Sequence, residues 1–409
     1  MTFSFFSFHA DFFLDSWIKS ADLELPDHLC LARVRESLRN LRVFRLDIHT
    51  GPLEDEILSG LLQLMPNVTS LFLRWGSETM QSILCKPGKT FTNLALVSGV
   101  TALGCCDEIL RKNAGSLREL DTPLPTEVSV AAVGDCTKLR HFRTRWSPFF
   151  KDSDLERLVL NNPDLESLDF GSIKSLTHKS LAHIKSVRKL SNLRLYQCSN
   201  LTSNGLCELG SLPKLQHLEV RESNFDIRGI RSLLPLTDLR TLILDVEVDS
   251  KSFTLICHNL KRLEVLKLDD CSKLTDEDGV KFRLLQHLSD LQMRKSSGFT
   301  DITFERGLGS PAMKSLFIDD TSMTDAGLVS VANHHGRLRY FTLQWSPSVT
   351  VAGLFAFMRR ELYLKEVDFL TRAGDALPEF TANEHEWETA YPRLHRFNTR
   401  SLLGRQSRN

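Results

Sequence analysis

This chain lacks an excess of either charge: Lys plus Arg number 51 and Asp plus Glu number 51. With zero net charge there is no global attraction to nucleic acid or to an anionic membrane, so neither is expected as a partner. No apolar run approaches the roughly 18 residues that a membrane span needs. The start, from Met1 to Phe13, is apolar but has no basic leader, and His9 and Asp11 interrupt it. Nine cysteines include no Cys-x-x-Cys pair, which argues against a zinc site and a disulfide framework and for reduced thiols in the cytoplasm or nucleus. The adjacent Cys105 and Cys106 are open to two readings, reactive thiols or small buried apolar groups. Also missing are a Gly-rich phosphate loop, His-Glu-x-x-His and Gly-x-Ser-x-Gly. Asp276-Glu277-Asp278 reads as a helix opening, where acids are favoured by the dipole. No catalytic residue, cofactor or metal ligand is expected.

What the chain does have is a period. Leu-x-x-Leu-x-Leu recurs about every 25 residues, clearest in Leu263-Glu-Val-Leu266-Lys-Leu268-Asp-Asp-Cys271-Ser-Lys-Leu274-Thr275-Asp276-Glu-Asp278-Gly279-Val280. Leu190-Ser-Asn-Leu193-Arg-Leu195-Tyr-Gln-Cys198 through Gly205-Leu206 is a second copy. The phrases start at Leu41, Val68, Phe91, Leu117, Leu139, Leu165, Leu190, Leu215, Leu239, Leu263, Leu288, Met313, Leu338, Leu364 and Leu394. A fixed period of this length means one supersecondary unit stacked many times, a solenoid. The alternation Leu-x-Leu places two side chains on one face of a short strand. Because every copy runs the same way, the strands must be parallel, and the remaining 15 or so residues supply a helical crossover.

Individual positions carry further expectations. Thr324 reads as a helix N-cap with Asp325 in the first turn, Leu328 and Val331 as one inward face, and Gly336 as a left-handed helix exit. The ninth position holds Cys198, Cys271, Ser147, Ser223, Ser296, Thr321 and Ser346. Small side chains suit a place where the chain turns inward and backbone groups need short partners. Asn67-Val-Thr69 and Asn200-Leu-Thr202 match the glycosylation sequon but fall inside repeat phrases, so they are read as coincidence.

The pattern Leu-x-x-Leu-x-Leu-x-x-Cys-x-x-Leu-Thr-Asp-x-Gly-Leu resembles the cysteine-containing leucine-rich repeats of F-box/leucine-rich-repeat proteins, the substrate receptors of SCF ubiquitin ligases. The resemblance covers roughly residues 36–400. It implies an α/β horseshoe of about 15 repeats, parallel strands on the concave face and helices on the convex one, that recognises a protein target through its strands. It also implies the SCF linker and a cullin as partners. Leu25-Pro26-Asp27-His28-Leu29 resembles the opening of an F-box, but the repeats begin near Leu38, leaving no room for the rest. The expected organisation is therefore an N-terminal cap (1–35), the array (36–400) and a basic tail (401–409).

Registering the repeats lines up two outward columns. One reads Arg143, Asp169, Arg194, Glu219, Ile243, Lys267, Gln292, Phe317; the other Arg145, Gly171, Tyr196, Arg221, Asp245, Asp269, Arg294, Asp319. Two readings stand. Arg143, Arg145, Arg194 and Arg221 with Tyr196 form a basic recognition sector facing an acidic one, or the columns are a solvated ladder of alternating charge. Trp75, Trp146 and Trp345 share the eighth position, where the strand ends. They are either exposed anchors for a partner or covers for the core's edge.

Overall fold

The computed structural model describes residues 39–47, 62–74, 90–96, 107–371 (apart from 224, 226, 335 and 362) and 396–401. Fifteen parallel strands follow one another in sequence order. They are β1 Val43–Asp47, β2 Ser70–Arg74, β3 Asn93–Leu96, β4 Glu119–Asp121, β5 His141–Arg145, β6 Ser167–Gly171, β7 Asn192–Tyr196 and β8 His217–Arg221. Then come β9 Thr241–Glu247, β10 Val265–Asp270, β11 Asp290–Met293, β12 Ser315–Asp319, β13 Tyr340–Gln344, β14 Glu366–Thr371 and β15 Arg396–Ser401. Every strand begins two residues after one of the fifteen phrase starts read from the sequence. The fold is a leucine-rich-repeat solenoid. Two compact units divide the chain: Met1–Asn192 with Gln197–Asn200, and Leu193–Tyr196 with Leu201–Asn409. The cap expected at 1–35 lies outside the described residues, as does the basic tail apart from Ser401.

The crossovers contain helices α1 Asp107–Asn113, α2 Glu127–Gly134, α3 Asp152–Asn161, α4 His178–Ile184, α5 Ser203–Leu209, α6 Ser250–Asn259, α7 Asp276–Gly279, α8 Asp301–Arg306, α9 Asp325–His334 and α10 Val351–Arg360. In two repeats the expected α-helix tightens to 3-10 geometry, at Ile227–Leu233 and Val280–Leu284. Leu328 and Val331 are fully buried, and the strand leucines Leu193, Leu195, Leu266 and Leu268 are buried likewise. Each such side chain contributes about 1.5–3 kcal/mol. Phenylalanines extend this core: Phe142, Phe150 and Phe170 meet with centroids 5.8–6.3 Å apart in the first unit.

Stacking parallel repeats buries polar groups that each repeat cannot satisfy alone, and the neighbouring repeat answers them. Asp276, the first residue of α7, accepts from Thr300 N (2.9 Å), Thr300 Oγ1 (2.5 Å), Thr303 N (3.2 Å) and Thr303 Oγ1 (2.5 Å). Thr300 stands just before α8. Asp301, first in α8, accepts from Thr324 N (2.8 Å) and Oγ1 (2.6 Å). Asp325, first in α9, does the same for Thr350 (2.7 and 2.6 Å). In the first unit Asp152 accepts from Thr177 N (2.9 Å), Thr177 Oγ1 (2.6 Å) and Ser180 Oγ. The two glycines Gly327 and Gly353 follow from this clamp. A Cβ on either would collide with the Asp301 or Asp325 carboxylate, so the Thr-Asp-x-Gly motif is a close approach between repeats. Thr324 is also the helix cap expected of it, accepting from Ala326 N at 3.2 Å. Gly336 is not the left-handed exit: its φ lies outside that region, and a Cβ there would meet nothing within 4 Å.

A second link uses buried asparagines. Asn113 ends α1, takes the Phe91 N–H at 2.7 Å and donates to Ile109 O at 2.7 Å. Asn162, just after α3, takes the Leu139 N–H (2.7 Å) and donates to Cys136 O (2.7 Å) and Leu158 O (2.8 Å). In each case the amide held is that of the first residue of a phrase. The sequon asparagines are used similarly, Asn67 donating to Arg39 O and Asn200 to Lys174 O, both at 2.7 Å. At the ninth position the expected short partners are present: Ser296 Oγ donates to Asp319 O (2.8 Å) and Thr321 Oγ1 to Phe299 O (2.9 Å), while Cys198 and Cys271 are fully buried.

Burial by itself would raise the Asp276 and Asp152 carboxyls, but the hydrogen bonds from Thr300, Thr303, Thr177 and Ser180 outweigh it and hold both below the usual range. A depressed carboxyl stabilises the fold fully above its unfolded value of about 4, and that contribution is lost as pH falls through the lowered folded value. Asp276→Ala should therefore cost roughly 2–3 kcal/mol at neutral pH and flatten the loss of stability below about pH 4. Urea unfolding from pH 7 to pH 2.5 measures both effects.

Candidate protein-binding face

The sheet face away from the helices carries the fifth and seventh residues of each phrase, because the fourth and sixth point into the core. In the first unit Arg143 on β5 reaches both neighbouring strands, Nε 2.6 Å from Asp169 and Nη1 3.3 Å from Asp121. Asp169 is only 8% exposed. Burial disfavours the guanidinium charge, yet the two carboxylates more than compensate and raise its pKa. Asp121 is itself raised by burial, against the pull of Arg143. Arg143 is thus committed to its own sheet. Arg145 is exposed, with its stem lying over Gly171, where a Cβ would stand 3.0 Å from Arg145 Cγ.

The residue after Arg145 is Trp146, with φ 84°. A left-handed backbone costs a residue with a Cβ about 1–2 kcal/mol. The same eighth position is left-handed at Ser172, Gln197, Glu222, Lys295, Asp320 and Trp345, so the geometry belongs to the repeat, where the strand ends and the chain turns. Trp146 N donates to Gly171 O (2.7 Å) and its carbonyl accepts from Leu124 N (3.3 Å). Its backbone is therefore pinned from both neighbouring repeats, while the residue is 36% exposed. Phe149, three residues on, is 42% exposed. Its column, the eleventh, is mixed: it holds Asn200, Lys273, Gly298 and Ser348 but also Phe225 and Met323, so register alone does not mark Phe149 as exposed. Phe150 beside it fills the apolar twelfth column and is buried.

In the second unit Arg194 Nε lies 3.2 Å from His217 Nε2 and 3.5 Å from Glu219. Arg221 bridges Glu219 (2.8 Å) and Asp269 (3.0 Å). His217, ahead of the two arginines, holds Glu219 below the usual carboxylate range despite its burial. Tyr196 is 39% exposed. Asp269 also accepts from Gln292 at 2.7 Å, and Arg294 lies 5.1 Å from the Phe317 ring centroid. Asp245 and Asp319 are raised, in both cases chiefly by burial. Beside Asp245 the pairing of β9 and β10 slips register, between Leu268 and Asp270. Trp345 is half-buried. Trp75, Cys105 and Cys106 lie outside the described residues.

Arg143 and Arg145 belong to the first unit, Arg194 and Arg221 to the second. Burial pushes the thiols of Cys136, Cys257 and Cys271 up to about 12, so these three are inert packing groups. Among the described residues no group of three or more His, Cys, Asp or Glu side chains is placed to hold a metal ion. No described helix is long and apolar enough to cross a membrane.

No family model matches the chain. Similar solved structures include an internalin, InlF, from Listeria monocytogenes, with 14% identity, a TM-score of 0.43, and coverage of 79% of this chain and 86% of that one. The Rad7–Elc1 complex of yeast is similar at 15% identity and a TM-score of 0.47, covering 88% and 90%. Internalin C2 of Listeria monocytogenes follows at 16% and 0.35, covering 54% and 84%. Likeness at this level concerns the arrangement of the chain and says nothing of partners.

The two arginines that flank Thr144 should behave oppositely. Arg143→Ala removes the guanidinium that Asp121 and the buried Asp169 share and should cost roughly 2–3 kcal/mol. Arg145→Ala should change stability by less than about 0.5 kcal/mol. Equilibrium unfolding of both variants at pH 7 measures the contrast.

Proposed function

We propose that this chain is a non-enzymatic protein-interaction scaffold that holds a protein target against its strand face. The observation that carries this reading is the segment Arg145–Phe149. It presents an exposed guanidinium, Trp146 and Phe149 from a backbone fixed by neighbouring repeats. Rigid aromatic and arginine side chains that need no ordering on association are the residues that dominate protein interfaces. Arg143 and Arg221, held by carboxylates on their own sheet, serve this surface as structure. Arg194, Tyr196 and Trp345 are secondary contacts in this proposal.

The resemblance of Leu190–Leu206 and Leu263–Val280 to repeats of ubiquitin-ligase substrate receptors supports a finer reading. The chain selects targets for an SCF-type ligase, with the linker and a cullin as its other partners. The alternative is a scaffold or inhibitor acting by occlusion alone.

Reversing Arg221 makes a poor test, because a glutamate there would face Glu219 and Asp269 and disturb the sheet. Trp146→Gly keeps the left-handed backbone, and Arg145→Glu leaves the ion pairs of Arg143 in place. In quantitative affinity purification of the full chain from cell extract, each should lower recovery of the principal partner at least tenfold. Arg306→Glu, on an exposed helix position, should leave it unchanged. Equal recovery with all three would exclude this segment as the recognition surface. Near-stoichiometric linker and cullin would select the ligase reading, and one abundant partner without them the occluding one.

A further inference from the structure

Glu361 stands immediately after α10, 23 residues beyond the phrase start Leu338. Asn162 stands 23 residues beyond Leu139 and takes that residue's N–H. Glu361 thus occupies the asparagine link of the first unit with a carboxyl in place of an amide. It is 3% exposed, and its two buried carboxyl oxygens make no well-formed hydrogen bond, the Leu338 backbone amide being the polar group that acts on them. A buried carboxylate with no partner is among the most costly groups a fold can hold, and the usual escape is to keep the proton.

Among the described residues no charge offsets its ionisation. His334 on α9, Arg337 and Arg339 before β13, Arg360 on the preceding helix, and Lys365 and Glu366 at β14 contribute nothing to its titration. Burial is the main influence, opposed only by the Leu338 backbone amide. Together they push the carboxyl up to about 8. An asparagine or glutamine would fill this place at any pH, so the carboxyl introduces a proton dependence that the first unit's links do not have.

We propose that Glu361 is held as the neutral acid, and that the α10–β14 end of the array is a pH-sensitive element, tightly packed while that proton is present and loosened when it is lost to water. The sign follows from the direction of the shift. The folded chain binds one more proton than the unfolded chain between the unfolded glutamate value of about 4 and the folded value near 8. Stability is therefore highest below that window and falls as pH rises through it.

The test compares the full-length protein with Glu361→Gln by hydrogen exchange of the Val351–Thr371 amides, corrected for intrinsic rates, from pH 6 to pH 9. Relative to Glu361→Gln, the opening constant of this segment in wild type should rise up to about tenfold per pH unit through the window. It should level off above pH 8. Amides around Asn162 should show no difference. Parallel curves for the two proteins would overturn the proposal. An infrared difference spectrum, wild type minus Glu361→Gln, supplies a second readout that does not depend on stability. A protonated carboxyl band at pH 6.5 that vanishes by pH 9 supports it, and a carboxylate band throughout overturns it.

Discussion

Each repeat's dependence on its neighbour for satisfying the polar groups at its helix starts is the constraint on which this structure rests. A parallel strand–helix unit exposes backbone N–H groups at the helix opening and cannot turn back to meet them. The Asp that begins one helix accepts both the amide and the hydroxyl of the Thr that precedes the next, at Asp276–Thr300, Asp301–Thr324 and Asp325–Thr350. Acid at a helix start is already favoured by the dipole, so one side chain serves two repeats. Gly327 and Gly353, each three residues after the clamped threonine, give the Asp301 and Asp325 carboxylates room. Where the same place holds Thr303 or Ser180, the side-chain hydroxyl becomes another donor.

With core and clamps assigned to fixed positions, the outward residues of the strands are free to differ from repeat to repeat, and they do. Some of that variation is spent internally: Arg143 ties down carboxylates on both neighbouring strands, and Arg221 holds Glu219 of its own strand and Asp269 across the sheet. The remainder faces outward, most distinctly where the turn after β5 fixes the backbone of Trp146 and leaves the residue exposed.

The period of the sequence carried nearly all of the fold. Fifteen strand positions, their parallel sense, the inward residues and the small ninth position could be read because each follows from repetition and alternation. The clamp was not legible. Asp276 looked like a helix-dipole residue, because its partners lie 24 and 27 positions away and nothing within its own repeat needs it. The left-handed eighth residue was hidden for a different reason: Trp, Gln, Glu, Lys and Asp do not announce a positive φ as glycine does. The surface was half legible. Counting charges placed the arginines on the strand face correctly but could not separate Arg143, held by Asp121 and Asp169, from the exposed Arg145. Phe149 could not be singled out from column register, because the eleventh position also holds the apolar Phe225 and Met323.

The clamp is an energetic link between repeats and more than a capping residue in each. A double-mutant cycle of Asp301→Ala and Thr324→Ala, followed by equilibrium unfolding at pH 7, measures that link. Direct coupling predicts that the single losses exceed the loss in the double variant by about 1 kcal/mol or more. Additivity within about 0.3–0.5 kcal/mol would mean that the two residues act independently, and that apolar packing alone holds the stack together.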